Sequence, residues 1–499
     1  MSATAAPGPT VVESPHRHVN PWLVLVIACL AQFMVVLDAT VVNIALPSVQ
    51  RGLHFSAANL QWVVNAYTLI FGGFLLLGGR AADLLGRKRL FVAGVILFSA
   101  ASLLNGLAQS SGILIAGRGL QGLGGALVSP AALSIVTTTF SDGAQRTKAL
   151  GVWSAIAASG AAVGLLMGGV LTDIASWRWV FFVNVPIGVA TVALAIRYVA
   201  ESRVAVSSRS FDLAGAVTVT SGLVVLVYAI VKAQAYGWGS ARTLGLGAVA
   251  VVLLTAFLFI ERRSPAPLMR LSIFRIRALA VADTVLLLVA SAMFGMFFFA
   301  SLYVQEILGY SPLRAGLAFL PVTGGIIIGA GFSQQLIRRF GVRAVSLVGL
   351  VFATVGMVIL TGLPVDGSYV GDLLVGLLPL SFGMGLVFVP ITLMGTSGVK
   401  GDDAGLASGL FNTAQQVGGS LGLAILSTLA ASRTSSLLHG ADLGHPLQAT
   451  VGGYHVAFLA AAVMLGLGFV VMAAGLRRSH MREVERELES AGAPAPSVA

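Results

Sequence analysis

Two ionisable side chains stand inside otherwise apolar runs. Asp38 lies in Leu37-Asp38-Ala39-Thr40-Val41-Val42-Asn43-Ile44-Ala45-Leu46-Pro47, and Arg118 in Gly117-Arg118-Gly119-Leu120-Gln121-Gly122. An ionised Asp near the centre of a bilayer costs at least about 2.5–3.5 kcal/mol, so such a carboxyl is retained for a reason. Asp38 is a candidate to carry a proton or to sense substrate charge. The plainer alternative is a structural Asp satisfied by hydroxyls or a base. Arg118 either shapes the titration of Asp38, directly or through water and Gln121, or packs helices by bonding backbone carbonyls. Depth is compatible with a pairing. At 1.5 Å per residue, Asp38 falls roughly 12 Å from the outer end of its run and Arg118 roughly 9 Å from its own.

Further polar and soft side chains are candidates for a substrate cavity: Gln61, Asn65 and Tyr67; Gln121; Met293 and Phe297; Asn412 and Gln416. Met and Phe offer an adaptable apolar surface for varied hydrophobic ligands. Each also has an ordinary role, as an interhelical hydrogen bonder or a lipid-facing aromatic. Gln415 belongs with the same polar group. Asp283 and Glu306 mark the two ends of one later run. Asp283 is either a second protonation or cation site, or the partner of Arg277 or Arg275.

The elements that must position these residues follow from composition. Of 499 residues, 57% are hydrophobic and only 10% charged, against about 25% charged in a soluble domain; mean hydropathy is +0.93. No water-facing surface can be built from this, which excludes a soluble enzyme, a nucleic-acid-binding module and a disordered scaffold. The net charge of +11 is therefore read against membrane topology rather than nucleic acid. The one cysteine, Cys29, provides no disulfide framework. None of the four lysines sits in a P-loop and the histidines lack HExxH spacing, so no ATPase site, metal or cofactor is expected.

About 20 mainly apolar residues cross the hydrocarbon core. The chain divides into 14 such stretches, near 22–46, 58–78, 89–108, 112–139, 148–170, 180–198, 212–231, 243–261, 278–302, 314–336, 343–363, 371–395, 404–430 and 454–476. The first is too long for a signal-peptide core and is read as a permanent span. With the N-terminus inside, 23 of the 30 Lys and Arg fall in cytoplasmic segments, 6 in outer ones, and Arg118 within a span. That split follows the positive-inside rule and places both termini in the cytoplasm. The runs lack the alternation of membrane strands. An all-α polytopic membrane protein is expected.

Two tight basic segments, Gly79 to Arg89 and Leu336 to Arg343, read as equivalent loops between the second and third helices of two halves. Repeated halves are a common transporter plan. The expected organisation is an N-terminal cytoplasmic tail (1–21), a six-helix bundle (22–205), a two-helix insertion (206–266), a second six-helix bundle (267–476) and a cytoplasmic tail (477–499) that starts as a charged helix. In the fifth span Gly160, Gly164 and Gly168 share one face, which permits backbone approach to a neighbouring helix.

Together these motifs resemble the major facilitator superfamily, specifically its 14-helix drug:proton antiporter branch (EmrB/QacA type). Gly79 through Lys88 is similar to the signature G-x-L-a-D-x-x-G-R-K, with Ala81 in place of Leu and Arg80 as an added base. The resemblance implies that Gly79, Asp83, Gly86, Arg87 and Lys88 form a cytoplasmic gating loop. Arg118, Gln121 and Gly122 resemble the fourth-helix motif linked to proton transfer. Gly151, Gly160, Gly164, Gly168 and Gly169 match every glycine of the antiporter motif G-x8-G-x3-G-P-x2-G-G, while Leu165 replaces its proline. Trp177-Arg178-Trp179, Asn184-Val185-Pro186-Ile187-Gly188 and Gly309-Tyr310-Ser311-Pro312 are further similarities. The implied activity is proton-coupled efflux of amphipathic drugs or antibiotics across a bacterial cytoplasmic membrane. The implied partners are a lipophilic small molecule, protons and the bilayer, with the chain working as a monomer. Solute:proton symport and a non-transporting membrane sensor are the alternatives; nothing points to an enzyme.

Overall fold

The structure, a computed structural model, describes residues 11–13, 20–140, 143–204, 212–265, 267–396, 403–440 and 446–476. Lys400, the charged tail after Arg478 and positions 205–211 lie outside the described residues. A chain this apolar must satisfy its backbone within each segment, because lipid offers no hydrogen bonds. The described residues are accordingly helical almost throughout. The exception is one small antiparallel pair, β1 (Val11–Glu13) against β2 (Ser202–Val204).

The first helices are α1 (Pro21–Leu53), α2 (Trp62–Leu85), α3 (Arg87–Gly106), α4 (Ser111–Thr139), α5 (Gly143–Ile174) and α6 (Asn184–Tyr198). Helix α1 starts where the Asn20 side chain accepts the amide of Trp22 and Pro21 occupies the first turn, both favourable N-terminal signals. The Ser110 hydroxyl caps α4 through the amide of Ile113. Next come α7 (Leu213–Tyr236), α8 (Ala241–Arg263), α9 (Arg277–Leu302), α10 (Leu320–Leu360), α11 (Leu374–Thr396), α12 (Asp403–Gly440) and α13 (Pro446–Gly475).

Among the described residues, 12 helices are long and apolar enough to cross a membrane, where 14 spans were expected. The expected tenth and eleventh spans lie in one run, Pro312–Leu360, interrupted at Gly341 (φ 79, ψ 161). The expected fifth lies in α5, a continuous helix over Gly143–Ile174 whose apolar stretch among the described residues is Ala162–Ile174. The two basic segments also need correction as loops. Helix α2 continues through Leu85 and α3 begins at Arg87, so only Gly86 (φ 114, ψ 128) breaks the chain there. Gly341 does the same in the second segment. Both positive φ values are open to Gly and strained for other residues, so each segment is a one-residue corner between helices.

The chain forms two compact units. One comprises Met1–Leu226, Gly247–Leu268 and Ser311–Gly316; the other comprises Val227–Leu246, Met269–Tyr310 and Leu317–Ala499. Helices α7 and α8 are thus each divided between them. In the first unit α4 packs on α2 and α3, α1 on α5, and α6 on α3 and α1. Its core is built around Met34, Tyr67, Phe71, Phe91, Phe98 and Phe140. In the second, α9 packs on α12 and α13, and α10 on α11. Large apolar side chains also cover the outer faces, among them Val26, Ile96, Leu107, Val252, Ile327 and Val370. Such surfaces suit lipid rather than water.

Candidate functional site

Five helices of the first unit converge on Asp38. Its side chain, on α1, is fully buried, and Arg118, on α4, is 1% exposed. Arg118 Nη1 donates to Asp38 Oδ2 at 2.5 Å, and Gln121 Nε2 donates to Oδ1 at 2.7 Å. Asn184 Nδ2, on the first turn of α6, donates to the same Oδ1 at 2.9 Å. The carboxylate therefore accepts from three side chains, one of them charged. Such charge-assisted bonds are roughly twice as strong as neutral ones.

Arg118 is held on every side as well. Its Nε donates to the Val63 carbonyl at 2.9 Å and Nη1 also to Gln121 Oε1 at 2.9 Å. Its guanidinium lies 4.4 Å from the centre of the Tyr67 ring and 5.8 Å from that of Phe181, within cation–π range. An outer layer fixes the amides. Asn105 Nδ2 donates to Gln121 Oε1 at 2.8 Å, while Gln121 and Asn184 both donate to the Ser102 hydroxyl at 3.1 Å. That hydroxyl in turn donates to the Phe181 carbonyl. A buried ion pair is tolerable when hydrogen bonds satisfy its remaining atoms, and this network supplies them.

Both readings of Arg118 are realised together: it pairs with Asp38 directly and also bonds a backbone carbonyl. Of the cavity candidates, Gln121 and Tyr67 belong to this cluster. Gln61 and Asn65 are buried but engage each other (Asn65 Nδ2 to Gln61 Oε1, 3.3 Å) and the Ala58 carbonyl. Met293 and Phe297, in the second unit, are half-buried, with Phe297 against Phe319. Asn412 is exposed and folds back onto the Ser408 carbonyl. Gln415 and Gln416 are half-buried, and Gln416 Oε1 has no partner. Asp283 does not pair with Arg277, whose Nε donates to the Gly475 carbonyl instead. Glu306 accepts from the Tyr454 hydroxyl at 3.3 Å.

Ser102, Asn105 and Asn184 are the members of the cluster that sequence reasoning did not assign. Each is a neutral polar residue in an apolar run, and the one available signal was the Asn184-Val185-Pro186 similarity, which carried no role.

At the Gly86 corner, Asp83 accepts from Arg87 Nε (3.2 Å) and Nη2 (2.9 Å), and Lys88 Nζ donates to the Ile196 carbonyl at 2.8 Å. Glu201, to which the sequence reading assigned no role, caps the start of α3. Its Oε1 accepts the Lys88 amide and its Oε2 the Arg89 amide, both at 3.2 Å. A carboxylate there satisfies free amides and complements the helix dipole. A Cβ on Gly86 would collide with this carboxylate, so the corner is shaped to admit it. Glu201→Ala is expected to cost about 1 kcal/mol, the usual worth of such a cap, read as a lower midpoint in thermal unfolding of the purified protein. An unchanged midpoint would mean that water replaces the cap at no cost. Gly79 has only Pro130 nearby.

The motif glycines of α5 divide by what they touch. Gly160, Gly164 and Gly168 lie against Val36, Thr40 and Val41 of α1, and Gly169 against the backbone at 312–313. Gly151 faces open space. Among the described residues no three His, Cys, Asp or Glu side chains gather as a metal site.

Apolar helices wrapped around a buried, hydrogen-bonded ion pair define a multi-pass helical membrane protein. The chain belongs to the Major Facilitator Superfamily, whose sequence profile matches residues 28–423. It is 41% identical over 455 residues to the puromycin resistance protein pur8 of Streptomyces alboniger, covering 90% of each chain. It is likewise 41% identical to the cephamycin export protein CmcT of Amycolatopsis lactamdurans, over 82% of this chain and 85% of that protein. Its identity to the tetracenomycin C resistance and export protein of Streptomyces glaucescens is 36%, over 84% and 77%. Its fold is similar to the crystal structure of a bacterial homologue of the human lysosomal transporter Spinster, inward-facing and unoccupied (TM-score 0.64, 16% identity, 93% of this chain and 98% of that chain). The protein is a multi-pass protein of the cell membrane.

Proposed function

We propose that this protein exports amphipathic, antibiotic-like molecules across the cell membrane in exchange for protons, by alternating access, with Asp38 as the proton carrier. Export is supported by relatives named for resistance to or export of puromycin, cephamycin, tetracenomycin C and lincomycin. The observation that carries the proton coupling is the Asp38–Arg118 pair, buried from all sides. When Asp38 takes a proton, Arg118 still keeps the Val63 carbonyl, Gln121 Oε1 and two aromatic faces. The cation is thus not stranded, and the cluster can pass between charge states without unfolding. One charge crossing 100 mV supplies about 2.3 kcal/mol, enough for roughly a fortyfold substrate gradient per proton.

In this reading the termini and the Gly86 corner face the cytoplasm. Asp83, Arg87 and Lys88 latch that side, and the chain works as a monomer without an enzymatic step. Everted vesicles with an imposed acid interior test the direction. Export predicts that the monocationic dye ethidium accumulates inside as protons leave; symport predicts movement the opposite way. The first unit has Asp38 as its one carboxyl at this depth, and that acid is already matched by Arg118. Neutral or singly charged lipophilic substrates are therefore expected, and a dicationic biocide is expected to move far more slowly than ethidium. Equal rates for the two would remove that specificity.

A further inference from the structure

A second buried carboxylate lies in the other unit, and the Asp38 scheme does not use it. Asp283, on the second turn of α9, is 6% exposed, and neither of its carboxylate oxygens has a hydrogen-bond partner. It shares a face with Leu279, Leu287 and Ser291, four residues apart along the helix. Leu279 packs with Ala407 and Leu410, while Gly418 and Gly422 meet the backbone at Leu287 and Ser291. Asp283 therefore sits midway along the seam between α9 and α12. On one side of it Ala282 approaches Gly395 of α11, and Val281 approaches Gly475 of α13.

Among the described residues no base on these elements bonds it. Helix α11 has no ionisable residue, α12 has none from Leu406 to Ser432, and α13 has only Tyr454 and His455. Tyr454 engages Glu306, and the His455 ring nitrogen bonds the Leu363 carbonyl. Of the cations bound to the end of α13, Arg277 Nε is turned to the Gly475 carbonyl and Arg343 Nη2, from α10, to the Ala473 carbonyl. Among the described residues Asp283 forms no ion pair. A buried, unpaired carboxylate in a membrane helix is too costly to keep ionised.

We infer that Asp283 is a second proton-binding site, carried by the unit that does not hold the Asp38–Arg118 pair. The ligand is a proton because this is a single unmatched carboxylate, and among the described residues it belongs to no cluster of acceptors that could hold a metal cation. Exchange with water is short-range. Six residues separate Asp283 from Arg277 at the start of α9, about 9 Å along the axis. Asp38 holds its proton in competition with a permanent guanidinium, whereas Asp283 has no competitor. The two carboxyls are thereby suited to load and unload at different stages of one cycle. This inference rests on the proton-exchange reading above.

Infrared difference spectroscopy of the purified full chain in lipid, recorded across a pH titration, tests it. The carboxylic acid C=O stretch reports proton occupancy without any substrate. In wild type this band is expected to contain a component that Asp283→Asn removes and Asp38→Asn leaves in place. Asp283→Glu, which keeps the acid, should retain the component at a shifted frequency and covers the case in which the amide variant does not fold. A wild-type band unaltered by either Asp283 variant would overturn the inference. Ethidium movement in everted vesicles separates the two readings. Loss of wild-type pumping would strike proton-driven export alone, whereas intact pumping with no Asp283 component would strike only the second site.

Discussion

Asp38→Asn is expected to abolish gradient-driven ethidium export and to lower the stability of the first unit by several kcal/mol. The substitution keeps the shape of the side chain but leaves Arg118, 1% exposed, without a counter-charge. Removing one partner of a buried pair typically costs about 3–5 kcal/mol, because the remaining charge is uncompensated. The new amide NH2 would also meet donors: Gln121 Nε2 and Asn184 Nδ2 both point at the Oδ1 position. The Val63 carbonyl and the Tyr67 ring soften the loss, so a folded but weakened protein is expected. The double variant Asp38→Asn, Arg118→Gln removes both charges and should recover much of the stability, as replacing a whole buried pair often does. It should recover none of the transport. Thermal unfolding of the three proteins and ethidium flux in everted vesicles give the two readouts. Transport by Asp38→Asn at the wild-type rate would end the carrier role. Transport restored by the double variant would reduce the pair to architecture.

How much of this was legible beforehand depended on how far each signal travels along the chain. Apolar length is a local property, so nearly every membrane helix could be placed from hydropathy alone. Where two expected spans run on as one helical stretch, at Gly341, the boundary depends on one backbone angle. The Asp38–Arg118 contact was legible for a different reason. Two charges of opposite sign in separate spans lie at matching depths of roughly 12 and 9 Å, which made a pairing one of two open readings beside the bonding of backbone carbonyls. Ser102, Asn105 and Asn184 carried no such constraint, since a neutral polar side chain can bond its own helix, a neighbour or water. Glu201 was missed because its partners are backbone amides 112 and 113 residues earlier, and any sequence supplies amides. Asp283 was left between a protonation or cation site and an arginine partner. Proximity in sequence suggested Arg277, but the guanidinium caps the end of α13 at Gly475, where helix-terminal carbonyls lack intrahelical partners.

The glycines of α5 predict opposite results for substitutions of the same kind. A Cβ at Gly168 would come within 2.6 Å of the Val41 carbonyl oxygen. Backbone cannot swing aside as a side chain can, so Gly168→Ala must push α1 and α5 apart. Overpacking of this type costs about 1–3 kcal/mol. The displacement reaches function because Asp38 lies three residues before Val41 on the same helix, within one turn. Shifting α1 there stretches the bonds from Arg118, Gln121 and Asn184 together, so transport should fall further than stability does. Gly151→Ala is the internal control. A methyl group added at Gly151 would meet nothing within 4 Å, and replacing Gly by Ala in a helix interior gains up to about 1 kcal/mol. Thermal unfolding should therefore place Gly151→Ala at or above wild type and Gly168→Ala clearly below it, with ethidium flux retained in the first and largely lost in the second. Equal behaviour of the two variants would mean that the close approach of α5 to α1 is not what holds Asp38 in place.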